Sequence, residues 1–227
     1  MNFREKEKLL KHLEEKSYEE EFDEKELIML SELSYDDSNY IRAVVARILV
    51  ESNSEKGEQI LLRLAKDHDT LVRTEACDSL CISEAAMTYD ILKDIAEKDR
   101  IGLVRGYAIM SLGDIASRIN MQDDLKSFLE NKLINEKVLF TKISIYTVLY
   151  SLGQREYLTN LLLILNTKNY HNRCAVVNSL SEIINDDNKE VILTALLEQK
   201  KIETKWSVVS EINEVIDELE SDRKESK

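Results

Sequence analysis

A pattern that recurs about every 32 residues constrains this sequence more than any other feature. Residues 67–80, Asp-His-Asp-Thr-Leu-Val-Arg-Thr-Glu-Ala-Cys-Asp-Ser-Leu, have the pattern of a polar turn followed by a helix. Val72, Ala76 and Leu80 are spaced four residues apart and therefore share one face of that helix. The same order of residue types returns at residues 99–112. A fixed period of this size is typical of a solenoid built from repeated helix pairs rather than of one closed core.

Six copies of the pattern align on one anchor position near the start of the second helix of each pair. Small or β-branched residues follow three positions after the anchor, and aliphatic residues follow seven positions after it. Asp precedes the anchor by six positions in the first three copies (Asp36, Asp67 and Asp99), and Asn135 does so in the fourth. The interval that leads to the fourth copy is longer than the others, so the register of that copy stays open by one turn. The anchors are Arg42, Arg73, Arg105, Thr141, Arg173 and Lys205.

The near absence of helix breakers predicts an all-α fold. The 227 residues include no proline and only five glycines, and both residues are unfavourable inside helices. We predict an acidic N-terminal capping helix within residues 1–24, with six helix pairs forming one solenoid domain over residues 25–219. Residues 220–227 are expected to form a disordered acidic tail. Asn120 is expected to be the N-cap of the helix that follows it.

The charge of the chain favours a basic protein as its partner. There are 44 acidic and 31 basic residues, giving a formal net charge of −13. This charge opposes the phosphate backbone of nucleic acids, although an acidic surface also serves solubility alone. Three cysteines without a C-x-x-C motif favour reduced thiols in the cytoplasm and no metal site. No apolar run is long enough to cross a membrane, and no signal peptide or cofactor motif is expected.

The Asp and Arg columns make the sequence similar to HEAT and HEAT-like repeats, most clearly at residues 67–80 and 99–112. The resemblance implies a right-handed superhelix of helix pairs, with the second helices lining the concave side. It also implies that the Asp and Arg columns form a hydrogen-bonding ladder between neighbouring repeats. Such a ladder explains both columns, whereas a phosphate-binding stripe would explain only the Arg column. The absence of proline from every first helix departs from the usual repeat.

No catalytic motif is found, so the chain is not expected to be an enzyme. Three classes of enzyme with HEAT-like folds were compared with it. Metal-dependent hydroxylases use His-Glu pairs, and no histidine here precedes a glutamate. Alkylpurine DNA glycosylases, the main alternative, use a basic concave face with tryptophans, whereas this chain is acidic and has one Trp. Bilin lyases also carry such repeats, and no residue pattern points to them.

One stripe on the second helices is predicted to face a ligand. It lies two, five and nine residues after each anchor, opposite the apolar positions. We therefore predict a non-catalytic protein-interaction module (an adaptor, scaffold or inhibitor of the immunity type) that binds a basic partner on its concave face. The alternatives are that the fourth second helix is buried on all sides, and that the solenoid is a structural scaffold or oligomer without a ligand. The predicted binding residues are Tyr107, Met110, Ile143, Tyr146, Tyr150, Glu75, Asp78, Asp114 and Glu182.

Overall fold

All regular secondary structure in the described part of the chain is helical, as predicted. A computed structural model describes the backbone of residues 1–18, 20–52 and 54–225, and the side chains of residues 1–18, 20–50, 52 and 54–219. Two short 3-10 turns lie at Leu49–Glu51 and Leu80–Ile82. The α-helices are α1 Phe3–Ser17, α2 Glu24–Leu33, α3 Asn39–Ile48, α4 Glu55–Leu64, α5 Thr70–Ser79, α6 Ala86–Lys98, α7 Gly102–Arg118, α8 Gln122–Asn135, α9 Leu139–Ser151, α10 Tyr157–Ile164, α11 Tyr170–Glu182, α12 Lys189–Ile202 and α13 Trp206–Glu225.

The helices form two compact units, Met1–Phe128 and Leu129–Lys227, and the boundary between them falls inside α8. In the first unit, the second helices of the pairs (α3, α5 and α7) pack side by side, and α1 packs on α3. In the second unit, α9, α11 and α13 pack in the same way. The single domain over residues 25–219 stays a prediction. The prediction of a disordered tail at residues 220–227 does not fit the backbone of residues 220–225, which continues α13 as a helix, and residues 226–227 lie outside the described residues.

The first unit has its core where the repeat columns predict it. Residues three and seven positions after the anchors are buried, because they face the neighbouring helices of the stack. The spacing that recurs in each repeat therefore reflects packing between repeats. These residues are Val45, Ala76, Ala108, Leu49, Leu80 and Leu112.

The expected Asp–Arg ladder is present in the first unit. Arg42 donates from Nε and Nη2 to the two carboxylate oxygens of Asp67, at 2.8 and 2.9 Å. Its Nη1 donates to the carbonyl oxygen of Asp36 at 2.7 Å. Arg73 repeats this arrangement, with Nε donating to Asp99 at 2.7 Å and Nη1 to the carbonyl oxygen of Asp67 at 3.0 Å. Each guanidinium thus joins the turn of its own repeat to the acid of the next one.

The capping helix α1 occupies the first position of the ladder. Lys6 forms an ion pair with Asp36, where a preceding repeat would supply an arginine. Asn2 and Glu5 form a reciprocal capping box that satisfies backbone N–H groups at the start of α1. Leu10 and Leu13 are the buried residues of α1. A narrow apolar stripe and three ion pairs, Lys6–Asp36, Lys16–Glu26 and Glu14–Arg47, therefore attach α1 to the helices next to it. Its role as a cap stays a prediction.

The ladder acids correct the register of two repeats. In five turns the acid lies three residues before its second helix and accepts a hydrogen bond from a backbone N–H of the turn. Measured from these acids, the anchor of the fourth copy is Lys142 rather than Thr141, and that of the sixth is Val209 rather than Lys205. The predicted register is therefore wrong by one residue and by one helical turn, respectively. The acids are Asp36, Asp67, Asp99, Glu136 and Glu203.

Asn120 ends a helix instead of starting one. Its φ of 59° lies in the left-handed region, which Asn tolerates better than most residues. The amide of Met121 then donates to the carbonyl oxygen of Ala116 at 2.9 Å, which completes a Schellman motif at the end of α7. Because α8 begins at Gln122, the predicted N-cap role of Asn120 is wrong.

Candidate partner-binding face

Three of the predicted residues lie on one face of α7. Tyr107, Met110 and Asp114 are three and four residues apart, so their side chains point to the same side of the helix. Tyr107 and Met110 are half-buried, and Asp114 is exposed. A half-exposed apolar surface beside a carboxylate is typical of a protein–protein interface rather than of a packed core.

Glu75 and Asp78 of α5 adjoin this face from the neighbouring helix. The helices α5 and α7 pack against each other, and Ser111 of α7 donates a hydrogen bond to the carbonyl oxygen of Cys77 at 2.7 Å. Glu75 is half-buried and Asp78 is exposed. We call the surface formed by Glu75, Asp78, Tyr107, Met110 and Asp114 the acidic face.

The carboxyl groups of the acidic face carry raised pKa values. Burial is the main cause for Glu75, Asp78 and Asp114. The negative charges of Glu75 and Asp114 raise the pKa of Asp78 further. Asp78 and Asp114 nevertheless remain exposed to water, so their burial is partial. The acidic face therefore brings three carboxyl groups with raised pKa values close together.

Two arginines lie beside the acidic face, and neither compensates Asp78. Arg47 lowers the pKa of Glu75 and is paired with Glu14 at 3.0 Å. Arg118 lowers the pKa of Asp114 and donates a hydrogen bond to the carbonyl oxygen of Cys81. In the described part of the chain, the carboxylate of Asp78 has no ion pair. The face is thus suited to receive a cation from outside.

Two features bear on the chemistry of the acidic face: the nearby Cys81 thiol and the placement of possible metal ligands. Burial and the charges of Asp114 and Asp78 raise the pKa of the Cys81 thiol to about 11, so the thiol stays protonated and is a poor nucleophile. Among the described residues, no group of three or more His, Cys, Asp or Glu side chains is placed to hold a metal ion.

In the second unit, Ile143 and Tyr150 of α9 are buried. Both belong to the core of that unit, and the Tyr150 hydroxyl accepts a hydrogen bond from Nδ2 of Asn188 at 2.8 Å. The expectation that these two side chains face a partner does not fit this placement. Measured from Glu136, the stripe positions of α9 are Ser144, Thr147 and Ser151, and of these Ser144 and Thr147 are also buried.

The other two predicted residues of the second unit reach its surface. Tyr146 is half-buried and stacks on Tyr157, with the ring centroids 5.5 Å apart. Glu182 at the end of α11 is exposed. The alternative interpretation of α9, burial on all sides, fits Ile143 and Tyr150 and fits Tyr146 only in part. Tyr146 and Glu182 belong to the second unit, whereas the acidic face belongs to the first.

Sequence reasoning did not single out Arg118. It lies thirteen residues after Arg105, beyond the nine-residue stripe used for prediction. The signal for it was the length of α7, which runs to Arg118 without a proline. A basic residue in the last turn is also favoured by the helix dipole.

A comparison with protein families agrees with the repeat pattern and the ladder. Residues 27–118 match the model of HEAT repeats. This segment consists of HEAT repeats. The matched segment contains α2 to α7, including the acidic face and the two Arg–Asp links.

Over most of the chain, the HEAT-like fold resembles a solved structure. A chain in the complex of CpcE and CpcF of phycocyanin lyase from Nostoc sp. PCC7120 aligns with a TM-score of 0.59 and 17% sequence identity. The alignment covers 87% of this chain and 83% of that chain. At this identity the similarity concerns the fold alone. No curated protein sequence matches the chain. Among the described residues, no helix combines the length and apolar character needed to span a membrane.

Proposed function

We propose that this protein is a non-catalytic interaction module whose acidic face binds a basic segment of a partner protein. The HEAT repeats support a role as adaptor, scaffold or inhibitor, because stacked helix pairs present extended surfaces for binding. The similar solved structure is itself a complex of two proteins. What supports the basic partner is the local electrostatics of α5 and α7.

The observation that carries the proposal is the uncompensated charge of Asp78. Its pKa is raised by burial and by the carboxylates of Glu75 and Asp114. The free protein therefore holds three carboxylates that repel one another. A Lys or Arg side chain placed between Asp78 and Asp114 would relieve this repulsion and gain charge-assisted hydrogen bonds. Tyr107 and Met110 would supply the apolar anchor surface beside it.

The test compares two double variants with the same change in net charge. Asp78→Asn combined with Asp114→Asn removes two of the three carboxylate charges of the acidic face. Asp90→Asn combined with Asp123→Asn removes two exposed charges elsewhere in the first unit. Partners are captured from native extract on each immobilised protein and quantified by mass spectrometry. A partner of the acidic face is retained by the wild type and the control variant and lost from the Asp78/Asp114 variant.

A second arm tests the apolar anchor. Tyr107→Ala should speed dissociation of the captured partner at any salt concentration, whereas the carboxylate variant should slow association mainly at low salt. Surface plasmon resonance at two salt concentrations separates these effects, and circular dichroism verifies that the variants are folded. Equal binding of the wild type and the Asp78/Asp114 variant would contradict the proposal.

A further inference from the structure

The second unit has an edge that is basic and apolar, in contrast to the net charge of −13. The edge contains the turns between the first and second helices of the pairs. Lys205 of the α12–α13 turn lies over the ring of Tyr170 at the start of α11, with 5.7 Å between Nζ and the ring centroid. Arg173 and Glu203 also join these two turns. The turns around α11 and α13 are therefore neighbours.

Lysines and exposed apolar residues are close in sequence along this edge. Trp206 is 81% exposed and Ile202 is 69% exposed, although both are large apolar side chains. Ile134 and Val138 are exposed in the same way beside the turn before α9. We call this surface the basic edge; its lysines, all exposed, are Lys137, Lys168, Lys200, Lys201 and Lys205.

Acidic side chains do not cancel the charge of the basic edge. Glu203, the acid inside the α12–α13 turn, is buried and bound by Arg173 on both of its oxygens. The first turns of α11 and α13 contain no acidic residue, so the positive ends of both helix dipoles add to the lysine charge. The exposed charged side chains of the turns before α11 and α13 are therefore basic, in contrast to the net charge of the chain.

A small polar pocket opens at the same edge. It has a volume of about 210 Å³ and is lined by residues of the turns before α11 and α13, including Thr167, Gln199 and Ile202. The hydroxyl oxygen of Thr167 is buried and has no hydrogen-bond partner among the described residues. Buried hydroxyls are rarely left unpaired. The pocket thus offers hydrogen bonding that the described residues do not use.

We propose that the basic edge binds a short acidic segment of a partner protein, in which carboxylates pair with the lysines and an apolar side chain packs on Trp206 and Ile202. A short peptide senses charge within about 10 Å at physiological salt, so it responds to the lysines. A long polyanion or an anionic membrane would also meet the repulsion of the whole chain. This proposal concerns the second unit and is independent of the proposed role of the acidic face.

The protein contains its own probe, because Trp206 is the only tryptophan of the chain. In the full-length protein, anionic iodide should quench its fluorescence more strongly than cationic caesium, despite the negative net charge. Lys200→Glu combined with Lys201→Glu should reverse this order. Lys8→Glu combined with Lys11→Glu, the matched control on α1, should leave it unchanged. Stronger quenching of the wild type by caesium would overturn the proposal.

The binding arm uses defined probes. A short synthetic peptide of alternating Glu and Leu should shift Trp206 emission to the blue, and the Lys200/Lys201 variant should bind it about tenfold more weakly. The alternating Lys and Leu peptide should have no effect. Absence of a shift with the Glu and Leu peptide would refute the proposal. A shift seen only with oligothymidylate, with phosphatidylserine vesicles, or on raising the protein concentration would also refute it, because the occupant would then be a nucleic acid, a membrane or a second copy.

Discussion

Replacing Glu203 with glutamine should be among the most damaging isosteric changes in the second unit. Its carboxylate accepts hydrogen bonds from Arg173 at 2.7 and 2.8 Å and from the backbone amides of Thr204 and Lys205 at 2.9 Å. The Glu203 side chain is 1% exposed and that of Arg173 is 11% exposed. Glutamine has the same size but offers an NH₂ group where the guanidinium needs an acceptor.

The size of the loss follows from the pKa of the group. The hydrogen bonds from Arg173 are the main reason that the pKa of Glu203 falls from 4.5 to about 2. That difference corresponds to about 3 kcal/mol of preference for the charged form in the folded protein. Breaking a buried ion pair by removing one partner costs about 3–5 kcal/mol. We therefore expect Glu203→Gln to lower the free energy of unfolding by about 3 kcal/mol.

The assay is urea unfolding followed by circular dichroism near neutral pH. Glu198→Gln is the matched control, because Glu198 is exposed near the end of α12, the helix that precedes Glu203, and its loss should cost less than about 0.5 kcal/mol. Adding Arg173→Gln to Glu203→Gln completes a double-mutant cycle. The double variant should lose less than the sum of the two single losses, because the cation is no longer left without its partner.

The pH dependence gives the sign of the effect. Because the folded pKa is lower than the unfolded one, Glu203 stabilises the protein above about pH 4.5, and this contribution disappears as the pH falls toward 2. The difference between the wild type and Glu203→Gln should therefore shrink across that window. Two results would refute the reasoning: a loss below about 0.5 kcal/mol near neutral pH, or a difference that stays constant down to the folded pKa.

Three further predictions concern the other structural features. The raised pKa of Asp78 means that its charged form disfavours folding, so Asp78→Asn should add about 0.5 kcal/mol near neutral pH after allowance for solvent screening. In acid titrations this gain should fade as the pH falls toward 3.8; an unchanged gain would contradict the assignment. Ala108→Glu should cost several kcal/mol by burying a charge in the packed stack, whereas Glu75→Ala should change stability by less than about 0.5 kcal/mol in the same urea titration; equal losses would count against the helix faces. Gly153 has a φ of 94°, so Gly153→Ala should lower the thermal midpoint more than Gly153→Asn does, and the reverse order would contradict the turn geometry.

The sequence predicts the helices and the ladder of the first unit because two independent signals coincide there. Apolar spacing defines the buried face, and the Asp67 and Arg73 columns define the register along it. In the sixth repeat the apolar signal alone is ambiguous, since Val208, Ile212 and Ile216 are four residues apart and allow a shift of one turn. Glu203, two residues before the assumed anchor Lys205, was the residue that could have resolved it.

The candidate site was predictable only where α5 and α7 are amphipathic. Asp78 and Tyr107 could be placed on a solvent-facing stripe because Ala76 and Ala108 fixed the opposite side. In α9 almost every residue is apolar or small, so a shift of one residue leaves the pattern intact and moves Tyr150 from the core to the stripe. The raised pKa of Asp78 was not predictable, because crowding around a carboxylate depends on neighbouring helices rather than on local sequence.

The two Arg–Asp links of the ladder are alike, and this has a consequence for how such a chain can lengthen. Arg42 meets Asp67 through the same donors and acceptors by which Arg73 meets Asp99. A duplicated segment of about one repeat, inserted between them, would therefore find its hydrogen-bonding partners already in place on both sides. At Asp36 the partner is different, because Lys6 binds this acid with a single ammonium group instead of a guanidinium fork. Gene duplication can thus extend the array from within.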